Sequence, residues 1–192
     1  MRVKKLAGLC AERGMPAIAV TDTNNMFCAL EFSETAAKAG VQPIHGCQVD
    51  LEHDPAGPGE KQRPPAPLVL LAQTEVGYHN LLKLNSALYL RGDGSLPHVT
   101  QSELLAHAEG LICLTGGPDG PLGRFVQQGQ TAKADALLQT LMQGFGDRLY
   151  IELQRHPSDN GPDEPARLTE RWFVETAYAR DLPLVATNDA YF

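Results

Sequence analysis

AIAVTDTNN (Ala17–Asn25) is a short apolar run that stops at a carboxylate. Gly14, Met15 and Pro16 break the chain just before it, and Thr23, Asn24 and Asn25 turn it just after. Four consecutive apolar residues between turn signals read as a buried strand of an α/β protein. Such folds keep their ligands at the carboxyl ends of their strands, which places Asp22 on the functional rim. LVATNDAYF (Leu184–Phe192) repeats the pattern, with Asp189 at the end of a second apolar run.

Between these stretches the periodicity alternates. Val3, Leu6, Ala7, Leu9 and Cys10 recur at helical spacing, and Ala29–Ala39 does the same before Gly40, a residue suited to the position after a helix. VQPIHGCQVDL (Val41–Leu51) is the next strand region. A Pro/Gly-rich surface loop is predicted over 53–67. LVLLA (Leu68–Ala72) reads as a strand and GYHNLLKLNSALYL (Gly77–Leu90) as a helix. Thr100 and Glu103 stand at capping-box spacing before a further helix. GLICLTG, RLYIELQR and LPLVATND are strands, separated by helices over Thr131–Gly146 and Pro165–Asp181. Alternation of this kind predicts a mainly parallel sheet or barrel with helices outside. The strand-end residues are then Asp22, Thr23, Gln48, Gly116, Gly117, Glu152, His156, Asn188 and Asp189. The chain opens on a helix and closes as a strand reaches the rim. Open sheet edges are normally avoided, so an incomplete barrel is expected, lacking material at both ends.

Composition narrows the function classes. A chain of 192 residues, 43% hydrophobic and 20% charged, has the balance of a globular domain rather than a disordered tail. No apolar run approaches the roughly 20 residues needed to span a bilayer. Cys10, Cys28, Cys47 and Cys113 form no CxxC pair, so neither structural zinc nor a disulfide framework is predicted. Buried thiols in the reducing cytoplasm are expected instead. The net charge of −7 leaves no basic face for gripping phosphates, which argues against direct DNA binding by this segment.

A hydrolytic metal centre needs several His, Asp or Glu ligands converging on one rim. Asp22 and Asp189 are the best candidates, with Glu152 and His156 behind them. Their neighbours Thr23, Gln48 and Gly117 are a hydroxyl, an amide and a glycine, all poor ligands, and Tyr191 follows Asp189 by two. An equally simple reading has both aspartates accepting hydrogen bonds within their own turns, and Asn24 and Asn25 serving a turn of unusual φ/ψ. TGGPDGPLGR (Thr115–Arg124) lacks the Lys-Ser or Lys-Thr of a phosphate loop and reads as a strand-to-helix turn.

Several stretches together carry a resemblance: Gly14–Val49, Leu68–Gly92, Glu109–Arg124, Arg148–His156 and Leu182–Phe192. In order, they resemble the PHP (polymerase and histidinol phosphatase) domain, and within it the N-terminal domain of bacterial DNA polymerase III alpha subunits of the DnaE type. The resemblance implies a distorted (β/α)7 TIM-like barrel, here a single partial domain over 1–192 without its first strand and its C-terminal part. Active PHP domains hold a metal cluster and hydrolyse phosphoesters. At their ligand positions this chain has Thr23 for His, Gln48 for Glu, Pro67 for His, Gly117 for Cys or His, and Tyr191 for the last His. Asp189 alone matches, and Asp22 adjoins. The resemblance therefore implies a vestigial rim with no catalytic residue and no metal of its own. The domain would be a scaffold for the polymerase core of the same alpha chain and a dock for a proofreading exonuclease subunit within the replisome. The parent would be a DNA-directed DNA polymerase, a nucleotidyltransferase, that meets DNA and Mg²⁺ through parts downstream of Phe192. Two alternatives stay open: a metal-dependent PHP phosphoesterase, and the same domain of an error-prone DnaE-like polymerase.

Overall fold

The computed structural model describes residues 3–55, 63–90, 96–155, 157–158, 161–162 and 164–188. The elements follow the chain as α1 (Val3–Glu12), β1 (Ala17–Val20), α2 (Ala29–Lys38), β2 (Gln42–Glu52), β3 (Ala66–Ala72), α3 (Glu75–Leu90), β4 (Val99–Thr100), α4 (Gln101–Ala106) and β5 (Leu111–Leu114). A 3₁₀ turn over Gly117–Asp119 leads to α5 (Pro121–Gln127) and α6 (Thr131–Phe145). After these come β6 (Leu149–Gln154), the small hairpin of β7 (Pro157–Ser158) and β8 (Gly161–Pro162), α7 (Glu164–Ala179) and β9 (Leu184–Thr187).

One curled sheet carries the fold, in the order β1-β2-β3-β5-β6-β9, with β4 beside β2. The expected parallel run is broken at one place. β3 lies antiparallel to both β2 and β5, whereas β1–β2, β5–β6 and β6–β9 are parallel. Parallel neighbours need a crossover, usually a helix, and no helix joins β2 to β3 among the described residues. The chain therefore comes back alongside β2, and the start of β3 reaches the rim where the other strands end. The strand begins at Ala66, so the last two residues of the predicted 53–67 loop are strand, and Pro67 pairs with Asp50.

Burial alternates along the strands with period two, as a sheet with two unlike faces requires. Cys47, Val49, Leu51, Leu68, Leu70, Leu111, Cys113, Leu149 and Ile151 face the helices and are almost wholly buried. They pack with Leu81, Leu84 and Leu88 of α3, Leu138 and Leu141 of α6 and Phe173 of α7. The alternate residues Val69, Leu71, Ile112, Leu114 and Val185 line a cavity of about 840 Å³ on the concave face.

Local signals act as their chemistry dictates. Thr100 caps α4, with the Glu103 amide donating to the Thr100 hydroxyl and the Thr100 amide to the Glu103 carboxylate. Gly40 closes α2 at φ +75°, a region costly to residues with a Cβ.

Candidate functional site: a polar rim over an open barrel

The concave cavity is apolar at its floor and polar at its rim. Asp22, Thr23, Asn25, Gln48, Glu152 and Gln154 stand at the rim end of the strands. The sequence places Asp22 beyond β1 and Glu152 near the end of β6. Gln48 is a different case. It was expected to end its strand, yet β2 continues to Glu52, so Gln48 reaches the rim from a mid-strand position.

Several polar groups at this rim are engaged by the chain itself. The carboxylate of Asp22 accepts a hydrogen bond from the Cys28 thiol at 3.0 Å. Its backbone carbonyl accepts the Gln48 amide at 3.1 Å. The Gln48 side-chain amide donates to the Thr23 hydroxyl at 3.3 Å, and the two residues form a parallel bridge. Thr23 and Gln48 are thus knitted to each other. Burial, and after it the Asp22 carboxylate, pushes the Cys28 thiol up to about 12. Burial likewise pushes Cys47 up to about 11. Neither sulfur is a thiolate at neutral pH, so neither is a ready nucleophile.

Asn24 fixes the turn that carries these groups. Its φ of +56° is tolerated by asparagine better than by most residues. Its side chain donates to the Asp50 carboxylate at 2.8 Å and accepts the Asp50 amide at 3.1 Å. Its carbonyl accepts the Tyr89 hydroxyl at 2.9 Å, so the end of α3 is tied to the same turn.

Glu152 is the most buried carboxylate of the rim, at 2% exposure. One oxygen accepts the Gly116 amide at 2.8 Å. The other accepts the Thr187 hydroxyl and the Gln154 amide. The Glu152 amide in turn donates to Thr115 at 3.0 Å. Three strand ends, those of β5, β6 and β9, are joined through one side chain. Gly116 and Gly117 adopt φ of +80° and +57°, so the glycine-rich stretch is the strand-to-helix turn its sequence suggested. That turn offers its amide inward, and the occupant is a carboxylate of the protein. A side chain at Gly117 would start 2.6 Å from the Gln154 amide oxygen, which takes that space.

A metal fits these residues poorly. Among the described residues no three His, Cys, Asp or Glu side chains converge. Asp22 is committed to Cys28 and Glu152 to Gly116, Thr187 and Gln154. Pro67 is the second residue of β3 and offers no donor atom in its side chain. Asp189, Tyr191 and His156 lie outside the described residues. Sequence reasoning missed Cys28, Asn24, Gln154 and Thr187 as partners. Gln154 alone had a readable signal, since it follows Glu152 by two on one strand and so shares its face.

A curled sheet with outer helices and a polar rim at the strand ends defines an open α/β barrel. The structure shares that fold with a crystal structure described as a metal-dependent phosphoesterase from Bifidobacterium adolescentis, at a TM-score of 0.56 and 12% identity. The alignment covers 96% of this chain and 80% of that one. Residues 1–156 match the PHP domain, and the chain belongs to that family. It is 44% identical over 194 residues to the DNA polymerase III subunit alpha of Caulobacter vibrioides, 37% over 193 residues to that of Pseudomonas aeruginosa, and 34% over 193 residues to that of Rickettsia bellii. All three matches cover 100% of this chain but only 15–16% of those proteins, so the chain spans about a sixth of the length of these curated relatives. Among the described residues no helix is long and apolar enough to cross a membrane.

Proposed function

We propose that this chain is the PHP part of a bacterial replicative DNA polymerase III alpha subunit, and that it works as a scaffold without a catalytic metal. In this reading it braces the polymerase core of the same polypeptide in the cytoplasm and docks a proofreading exonuclease subunit. Primer extension with Mg²⁺, and the handling of DNA, belong to the remainder of the subunit. The observation that carries the reading is the state of the rim. Among the described residues, Gln48 donates to Thr23, Cys28 to Asp22, and Gly116 and Thr187 to Glu152. A rim that has spent its polar groups internally retains the barrel's shape and gives up its coordination chemistry. The net charge of −7 suits a docking scaffold and not a DNA-gripping surface.

Elemental analysis of the purified full-length subunit tests the metal-free part. Stoichiometric zinc, manganese or iron that disappears on truncating Asp189 and Asp22, with hydrolysis of a model phosphodiester, supports the alternative of a metal-dependent phosphoesterase instead. Co-purification of the exonuclease subunit with full-length protein, and its loss when residues 1–192 are deleted, tests the docking part. An error-prone polymerase of the same type would share this domain and differ in the polymerase portion.

A further inference from the structure

The pairing of β2 with β3 stops at Leu51 against Ala66. The two residues before Ala66 are Pro64 and Pro65, and proline has no amide with which to extend a ladder. Side chains of the helical layer take over where the backbone stops. Arg124 of α5 donates through Nη1 to the Pro64 carbonyl at 3.1 Å and to the Pro65 carbonyl at 2.8 Å. Beyond the end of β2, the Asp54 carboxylate accepts Lys133 of α6 at 3.0 and 3.2 Å, and it also pairs with Arg63 on the returning side. The Asp54 side chain is 14% exposed, whereas those of Lys133 and Arg63 are half-exposed. The Lys133 ammonium lies 5.6 Å from the centre of the Phe125 ring, which His53 meets edge-on at 5.1 Å. Burial holds the His53 pKa below its ordinary value, and the charges of Arg124, Arg63 and Lys133 push the same way.

We propose that Asp54, Arg63, Arg124 and Lys133 form an ionic latch, which fixes the first residues of β3 to α5 and α6 and opens in high salt while the sheet stays folded. One acid serves two cations, so releasing Asp54 frees both sides of the connection at once. Half-exposed ion pairs are screened by salt, whereas apolar burial is not. That burial begins at once beyond the latch, with Ala66 and Leu68 both wholly buried. The latched strand end also walls the turn that Glu152 anchors, since a Cβ added to Gly116 would lie 2.0 Å from the Pro67 carbonyl. The device goes beyond the scaffold reading and does not depend on it.

Hydrogen exchange of the full-length protein, followed on peptides covering residues 63–69 and 70–74, tests the latch. Sodium chloride is raised from about 0.1 M to about 1 M, over which the screening length falls from about 10 to about 3 Å. Exchange in 63–69 should then speed up about fivefold while 70–74 keeps its rate. Asp54→Asn should show the fast rate in 63–69 already at low salt and respond no further. Lys133→Met, which keeps an unbranched chain beside Phe125, should move the rate in the same direction. Unaltered exchange in Asp54→Asn overturns the proposal. An undiminished salt response in that variant overturns it in favour of other charges, and a rise shared equally by both peptides overturns it because the sheet itself has then loosened.

Discussion

The Glu152 carboxylate accepts the Gly116 amide at 2.8 Å from within the sheet, so the glycine-rich turn after β5 is anchored to β6 by a buried acid. The same side chain reaches Thr187 of β9. Loss of this acceptor leaves the buried Gly116 amide with nothing to bond and frees the half-buried Thr187 hydroxyl. Glu152→Gln keeps the volume but places a donor where at least one donor already points, and is expected to lower stability by about 1–3 kcal/mol. The midpoint of urea unfolding, followed at Trp172, measures it, and an unchanged midpoint would show that the rim does not depend on this clamp.

Gly117 stands at the rim with φ +57°. Gly117→Ala should cost about 1–2 kcal/mol, chiefly from the left-handed backbone. The nearest atom to the new Cβ is the end of the flexible Gln154 side chain, which can swing aside. Adding Gln154→Ala is therefore expected to recover little of the loss. Full recovery in the double variant would mean that crowding, and not backbone conformation, bars a side chain at this position.

Cys28 is held at about 12 by burial first and by Asp22 second. It should react slowly with iodoacetamide near neutral pH, because the thiolate is scarce. Asp22→Asn removes the neighbouring charge and should speed alkylation of Cys28 while leaving Cys113 inert, since Cys113 is wholly buried and its thiol is pushed higher still. Peptide mapping of the alkylated sites reads the result. An unaltered rate at Cys28 would break the link between Asp22 and the thiol.

His45 packs edge-on against Phe32 and Tyr78, with ring centroids 6.2 and 5.6 Å away. Its Nδ1 is buried and finds no hydrogen-bond partner among the described residues. Burial holds its pKa below the ordinary 6.5, so the unfolded chain takes up the proton more readily than the folded one. Stability from this residue is whole above that ordinary value and is lost as pH falls from it towards the folded value. His45→Phe keeps an aromatic ring in place and should flatten the fall in unfolding midpoint between about pH 7.5 and pH 5.5. Burial lowers His53 as well, and its share of the slope remains in both proteins. Identical slopes would assign the whole effect elsewhere.

The alternation of helices and apolar strands was legible, because burial of one sheet face against helices writes a period into every element. The turn at Asn24 and the cap at Thr100 were legible for the same reason, each being a local demand on backbone or hydrogen bonding. The direction of β3 was not read, although the missing helix between β2 and β3 was the clue. The rim was half legible. The residues that stand at the rim are visible in the sequence, whereas their hydrogen-bond partners are not. Thr187 meets Glu152 and Tyr89 meets Asn24 only through the tertiary fold, and no spacing along the chain encodes such meetings, whereas Cys28 meets Asp22 within one connection.

The reversal of β3 has a consequence for how this barrel can vary. β2 ends at Glu52 and its antiparallel partner β3 begins at Ala66, so both ends of the connection between them stand on the same side of the sheet. Residues gained or lost in that connection would leave the register of Asp50 against Pro67 untouched. Length change there is the cheapest route by which lineages could fit one barrel to different neighbours.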